Sequence, residues 1–459
     1  DHGPLDLVLV VLDTTRPDFL APYGGDADTT PFLQEFATEA TRFDRAYSSS
    51  CWTLPAHATM FTGTLPGVHG ATQSSARVDR SLPLLAKTLR DSGYATAGFS
   101  ANPWIGNKSG LHRGFEVFDR IHSTKESWIS GEVPDEKADR SGIARDVSKW
   151  LRTDRDPDKP FFLFVNLMRA HHPYVPSPGA AREVLGLGPA ELRQAVAEFY
   201  PELPGSSASS LMNRHYARRE PLSDEDWGRL GDLYRASLRS ADSDLQTILG
   251  IVDRQSERGA LVMIVSDHGE SLGEHGHFGH IMNLYETSVR VVFLVRGPGF
   301  EAGALDSTPV HLADVHATLL GAAGLAAPPQ AVGVDLARSR PSDRVLSASL
   351  EAPTLQLDPF DEEIVESGVL DPYRPATFAA IESRYKLIAR SDGAEEIFDL
   401  VDDPQEQRPL DAARVDPETL AALRASVERA RSEMGERAAQ ELDLDEATLD
   451  SLRALGYVK

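Results

Sequence analysis

The stretch Leu7-Val8-Leu9-Val10-Val11-Leu12-Asp13 (LVLVVLD) is an unbroken apolar run that ends on a carboxylate. The run from Leu5 to Leu12 (LDLVLVVL) is eight residues with an aspartate inside it, far short of the roughly 20 residues needed to cross a bilayer, so it reads as a buried strand. Similar runs recur in FFLFVNLM (Phe161 to Met168), ALVMIVSD (Ala260 to Asp267) and RVVFLVRG (Arg290 to Gly297). Helical patterns lie between them: TPFLQEFATEA, the segment LPLLAKTLRDSGYATAGFS with a helix closing at Gly93 and a strand after it, and a long stretch from Asp226 to Arg254. Strands alternating with helices predict an α/β fold with a largely parallel sheet. In such sheets ligands bind at the carboxyl ends of the strands, where several of these runs carry polar or ionisable residues.

At 459 residues the chain is long enough for one large domain and a smaller companion. A hydrophobic fraction of 41% and a charged fraction of 25% are the balance of a soluble globular protein. Lys and Arg total 46 against 70 Asp and Glu, a net charge of -24, which argues against nucleic acid as a partner. A local metal and cationic cluster can still draw an anionic ester into a cleft. The single cysteine, Cys51, permits no internal disulfide and leaves the redox compartment open. No transmembrane segment is expected. The chain begins DHGPLD without an initiator methionine, as a processed or trimmed form would; a periplasmic or secreted location fits a removed signal segment, and oligomeric state is not legible.

Around residues 325 to 345 the composition turns to Ala, Pro, Gly and Arg, as in a connection between domains. This divides the chain into a catalytic domain, 1–344, and a smaller C-terminal subdomain, 345–459. The latter offers strand candidates VLSASLEA, ATFAAIES, YKLIAR and EEIFDL and an acidic helical stretch, DPETLAALRASVERARSEM. Residues Ala180 to Glu220, rich in Gly, Pro and Ser, read as an insertion over the main sheet, a lid facing the substrate.

Three separated places hold residues of metal or nucleophile type: Asp13 in VVLDTTRPD, Thr53 in CWTLPAH, and Asp267-His268 in IVSDHGE. Two carboxylates, an imidazole and a hydroxyl form a mixed oxygen and nitrogen set for one divalent ion. That set suits Zn²⁺ or Mn²⁺ better than Ca²⁺, which prefers all-oxygen shells.

These segments, together with TTPFLQEFATEATRFDRAYS, TLPAHATMFTGTLPGVHG, GFEVFD, VSDHGESLGEHGHFGH, LYETSVRVVFLVRGPG, SRYKLI and EEIFDLVDDPQEQ, resemble the sulfatase family of the alkaline phosphatase superfamily from end to end. The resemblance implies an alkaline-phosphatase-like α/β/α sandwich with a large, mostly parallel sheet, a smaller C-terminal α+β subdomain, and a metal-dependent ester hydrolase. In that family a Cys-x-Pro-x-Arg or Ser-x-Pro-x-Arg motif supplies a residue that is converted to formylglycine. Counting back from Thr62-Gly63, with Pro55 as a check, places that position on Thr53 rather than Cys51, and His57 where the arginine would be. Threonine cannot become formylglycine, so none is expected.

Further departures from the family pattern accompany it. Asp13 is followed by Thr14 rather than a second aspartate, and His268 stands where asparagine is common. The Lys-x-His pair expected after the next strand is absent from GFSANPWIGNK, His280 takes the place of a substrate-binding lysine, and His171 keeps the family's substrate-side histidine. The resemblance thus implies metal ligands Asp13, Thr53, Asp267 and His268, and catalytic roles for Thr53, His171, His280 and His57.

A formylglycine hydrate can expel sulfate by regenerating its aldehyde, whereas a threonine ester has no such exit. It must be cleaved by water attacking the central atom, the two-step route of phosphoryl transfer. Phosphate or phosphonate esters, phosphodiesters first, are therefore expected over sulfate. The partner is a small-molecule or lipid-headgroup ester. A true sulfatase, or a transferase of phosphoethanolamine or glycerol-phosphate head groups, is the alternative.

Each residue also has a plainer role open to it. Asp13 suits a turn or cap, Thr53 an N-cap, and Cys51 a small buried hydrophobe. His275 and His277, in GEHGHFGH, suit either a second metal site or loop positions; one metal is expected because NLMRAHH has Asn166 and no aspartate for the two-zinc motif. Gly269 to Gly273 matches the G-x-S-x-G nucleophile elbow, but Asp267-His268 already occupies the strand end where its serine would have to sit.

Overall fold

The computed structural model describes residues 4–120, 142–200, 211, 215–216, 222–280, 282–351 and 362–435. Its centre is an eight-stranded sheet: β1 Asp6–Leu12, β2 Thr41–Phe43, β3 Ala95–Ser100, β4 Val117–Arg120, β5 Phe161–Leu167, β6 Ala260–Val265, β7 Phe293–Arg296 and β8 Leu305–Asp306. Their order across the sheet is β8-β2-β7-β6-β1-β5-β3-β4. Strand β1 lies in the middle with every residue buried, which is why its sequence shows no polar alternation. With helices on both faces, the architecture is an α/β/α sandwich.

Register sets the level of the site. Val11 pairs with Val265 of β6 and with Asn166 of β5, and Asn166 pairs with Ser100 of β3. Asp13 and Asp267, each two residues beyond that row, therefore emerge side by side at the carboxyl edge.

The five strands from β4 to β6 run parallel, but β7 is antiparallel to β6. The chain leaves β6 at the carboxyl edge and re-enters from that same edge without a crossover helix, so it can only run back down. The sheet is mixed for that reason.

A second sheet, β9 Leu346–Leu350, β10 Thr377–Ile381, β11 Tyr385–Arg390 and β12 Glu395–Asp399, is an antiparallel meander matching the four strand candidates. Alternation divides its faces. Phe378, Ala380, Leu387 and Ile397 pack with Val415 and with Leu423 and Val427 of the helix Pro417–Gly435, while Ala379, Ile381, Ile388 and Phe398 join Tyr47, Cys51, Leu284 and Val289 of the main unit. The expected insertion Ala180 to Glu220 begins with helices Pro178–Leu185 and Pro189–Phe199, and most of its remainder lies outside the described residues, as does the end of the C-terminal stretch from 436 on. Among the described residues no helix is long and apolar enough to cross a membrane.

Candidate active site

Thr53 opens the ten-residue helix Thr53–Thr62, every residue of which is buried. The cap position belongs to Trp52, which makes no side-chain cap bond, so Thr53 is the first helical residue rather than the cap. Its Oγ1 sits at the positive end of the helix dipole, a setting that favours developing negative charge. It lies 3.3 Å from His268 Nε2 and 3.3 Å from the amide nitrogen of Asn102. Cys51 is buried among apolar side chains shared with the second sheet.

Asp13, Asp267 and His268 offer ligand atoms within 4.8 Å of one another, all three residues buried. Each is held so that one atom stays available. Asp13 Oδ2 accepts amide hydrogens from Asn102 (2.9 Å) and Asn166 (3.0 Å), while Oδ1 has no hydrogen-bond partner. The Asn102 amide is oriented by Trp104 N–H on its oxygen, and the Asn166 amide by Ser100 Oγ. Asp267 Oδ1 accepts the N–H groups of Thr14 (3.1 Å) and His268 (3.0 Å), leaving Oδ2 without a hydrogen bond. His268 Nδ1 faces the Gly269 carbonyl at 3.0 Å, which fixes its proton there and turns the Nε2 lone pair toward the carboxylates.

Electrostatics support a cation. Burial first, then repulsion from Asp267, pushes the Asp13 carboxyl up to about 7. Burial raises Asp267 to about 7 and lowers His268 to about 4. Two buried carboxylates with orphaned oxygens beside a neutral imidazole lone pair are a fit for one divalent ion.

The surrounding turns are specialised. Thr14 takes φ +54°, a left-handed conformation costing a β-branched residue on the order of 1–3 kcal/mol, which turns the chain sharply just after the N–H that Asp267 receives. Gly269 has no room for a side chain, since a Cβ there would lie 2.0 Å from the Thr287 carbonyl oxygen.

The histidines fall into different surroundings. His57 Nδ1 donates to the Thr53 carbonyl (2.9 Å) and lies 3.5 Å from Asp267 Oδ2; its ring packs edge-on to Phe61 and Phe164, and burial lowers its pKa to about 3. It therefore holds the backbone of Thr53 rather than its hydroxyl. The His280 ring is 4.6 Å from that of His268 and 4.9 Å from that of His171, and its Nδ1 contacts Glu270 at 3.3 Å. His275 stacks on Tyr285, and His277 is buried beside Tyr373; neither joins a metal-type cluster among the described residues. Among the described residues Ser271 bonds Thr287, Ser288 and Asn283 and no histidine, which leaves the elbow motif without a base there.

The sulfatase family model matches residues 6–325. The chain belongs to the sulfatase family. Among its relatives, choline-sulfatase from Rhizobium meliloti (strain 1021) is 25% identical over 92% of this chain and 86% of its own. A solved structure in complex with its substrate D-glucosamine-2-N,6-O-disulfate is similar at a TM-score of 0.71 and 18% identity, covering 96% of this chain and 100% of that one. The phosphonate monoester hydrolase of Agrobacterium radiobacter is similar at a TM-score of 0.67 and 20% identity, over 96% and 98% of the two chains. Both structural likenesses speak to the fold of this sulfatase-family chain.

Reading the sequence missed Asn102 and the Thr14 backbone, and gave Asn166 only a negative meaning. The one available signal was SANP at the end of β3, where a buried strand ends on hydroxyl and amide groups rather than a Lys-x-His pair.

Proposed function

We propose that this sulfatase-family hydrolase cleaves phosphate or phosphonate esters, phosphodiesters foremost, through a covalent Thr53 intermediate. The observation that carries the reading is the Thr53 hydroxyl at a helix N-terminus, 3.3 Å from His268, while Cys51 is packed in apolar core. Asp13, Asp267 and His268 would hold the metal, with Thr53 Oγ1 beside it; the mixed donor set favours Zn²⁺ or Mn²⁺ over Ca²⁺. When bound, that ion lowers the pKa of a hydroxyl and screens charge on the ester's non-bridging oxygens.

Thr53 Oγ, its proton released to solvent, attacks phosphorus in line, and the bond to the leaving oxygen breaks as the new P–O bond forms. His171 and His280 donate hydrogen bonds to the substrate, and one of them gives its proton to the departing alkoxide. Water then attacks the same phosphorus and returns a proton to that histidine, the P–Oγ bond breaks, and the Thr53 alkoxide takes its hydroxyl proton back from solvent. His57 and Asn102 position the nucleophile. Thr53 Oγ1 lies within hydrogen-bond distance of the Asn102 amide and the His268 imidazole.

Sulfate ester hydrolysis is the second reading, favoured by the relative named choline-sulfatase. Parallel assays with a chromogenic phosphodiester, phosphonate monoester, phosphomonoester and sulfate, with Mn²⁺ or Zn²⁺ added, separate the two. The phosphodiester should be turned over fastest and the phosphomonoester slowly. A dominant sulfate activity would replace the first reading by the second, and silence on all four with metal bound would remove both.

A further inference from the structure

Tyr234 lies on the helix Asp224–Gln255 and is fully buried. Its hydroxyl donates to the Thr14 carbonyl (2.7 Å) and accepts the Arg16 N–H (3.0 Å), bridging the turn that follows β1. Within that turn Thr14 is held at φ +54°, and its N–H reaches Asp267 Oδ1. Opening of this turn would let the Asp13–Thr14 peptide rotate, carry the N–H away and free the Asp267 carboxylate to turn. The Tyr234 ring is set edge-on between Phe19 (5.0 Å) and Tyr174 (5.3 Å), which fixes the aim of its hydroxyl. The same turn reaches the loop after His268, because Arg16 donates to the Glu270 carbonyl.

We propose that Tyr234 is a positioning residue of the metal centre: its hydroxyl clips the strained Thr14 turn shut and thereby orients Asp267. The inference rests on reading Asp13, Asp267 and His268 as ligands, and is independent of the ester they serve. Groups that orient metal ligands typically contribute about 10–100-fold in affinity.

The test is calorimetric titration of metal-stripped protein with Mn²⁺ or Zn²⁺ alone, comparing wild type, Tyr234→Phe, Tyr174→Phe and Asp267→Asn. Tyr234→Phe keeps the ring and removes only the clip; its Kd should rise about 10-fold or more. Tyr174→Phe removes a neighbouring buried hydroxyl that makes no hydrogen bond, and its Kd should stay within about twofold of wild type. An unchanged Kd in Tyr234→Phe, or an equal rise in Tyr174→Phe, overturns the proposal. Wild-type binding by Asp267→Asn would instead overturn the ligand reading beneath it. If stripped Tyr234→Phe does not fold, Thr14→Gly/Tyr234→Phe is compared with Thr14→Gly alone: with no strained turn to hold, the added Tyr234→Phe should change Kd by less than about twofold, and a further rise of about 10-fold overturns the proposal.

Discussion

Cys51 and Thr53 are two residues apart and face different worlds, one an apolar cluster and the other a metal-type constellation. Thr53→Ala should abolish turnover while the melting temperature stays close to wild type, whereas Cys51→Ala should keep activity within a few fold; a dead Cys51→Ala enzyme would move the nucleophile. His316 shows a different strain on a single side chain. It is buried with neither ring nitrogen hydrogen-bonded, and burial lowers its pKa from 6.5 to about 4. A depressed histidine pKa means that the unfolded chain binds the proton first, so this stability is present above pH 6.5 and is lost as pH falls toward 4. His316→Leu should therefore flatten the acid limb of the melting temperature between pH 6.5 and 4; an unaltered limb would show that His316 is not responsible. Asp13, Thr53, Asp267 and His268 were legible because each stands at a punctuated end of an apolar or helical run. Asn102 was not, because an asparagine after a strand also reads as an ordinary turn former.

The helix Asp224–Gln255 is the organiser of its side of the molecule. A capping box between Ser223 and Asp226 starts it, and Leu230, Leu238, Leu245, Ile248 and Val252 bury its inner face. From that face Asp242 reaches the N-terminus of the helix Pro31–Ala37 and accepts the N–H groups of Phe32 (2.9 Å) and Leu33 (2.8 Å), supplying a cap that Thr30 does not. Asp242→Ala leaves both donors unsatisfied and should cost about 2–3 kcal/mol in chemical denaturation. Asp242→Asn, which keeps an acceptor, should lose less. The helix itself was legible from its periodicity, within two residues at its start and one at its end. Its role as a cap for a helix some 200 residues earlier was not, since nothing local to Asp242 distinguishes it from the surface aspartates of any amphipathic helix. The direction of β7 escaped for a related reason: an apolar run looks alike read up or down the sheet.

The two sheets are tied by charge as well as by core. Lys386 of β11 is fully buried between Glu286 (3.0 Å) and Glu406 (2.8 Å). Glu286 begins the turn whose Thr287 and Ser288 carbonyls receive the N–H groups of Glu270 and Gly269, directly after His268. Lys386→Ala strands two carboxylates and should lower stability by about 3–5 kcal/mol in thermal or denaturant unfolding. A loss below about 1 kcal/mol would mean that water reaches the pair and screens it. Local pattern alone settled which segments are strands and helices, which residues go inside, and which strand ends bear reactive groups, because an apolar run must be covered and a polar end must not. The packed chain decided strand order and direction, and which oxygen of each aspartate stays available. Those outcomes depend on contacts such as Thr14 to Asp267, 253 residues apart, and contacts of that range exist only after the sheet has assembled.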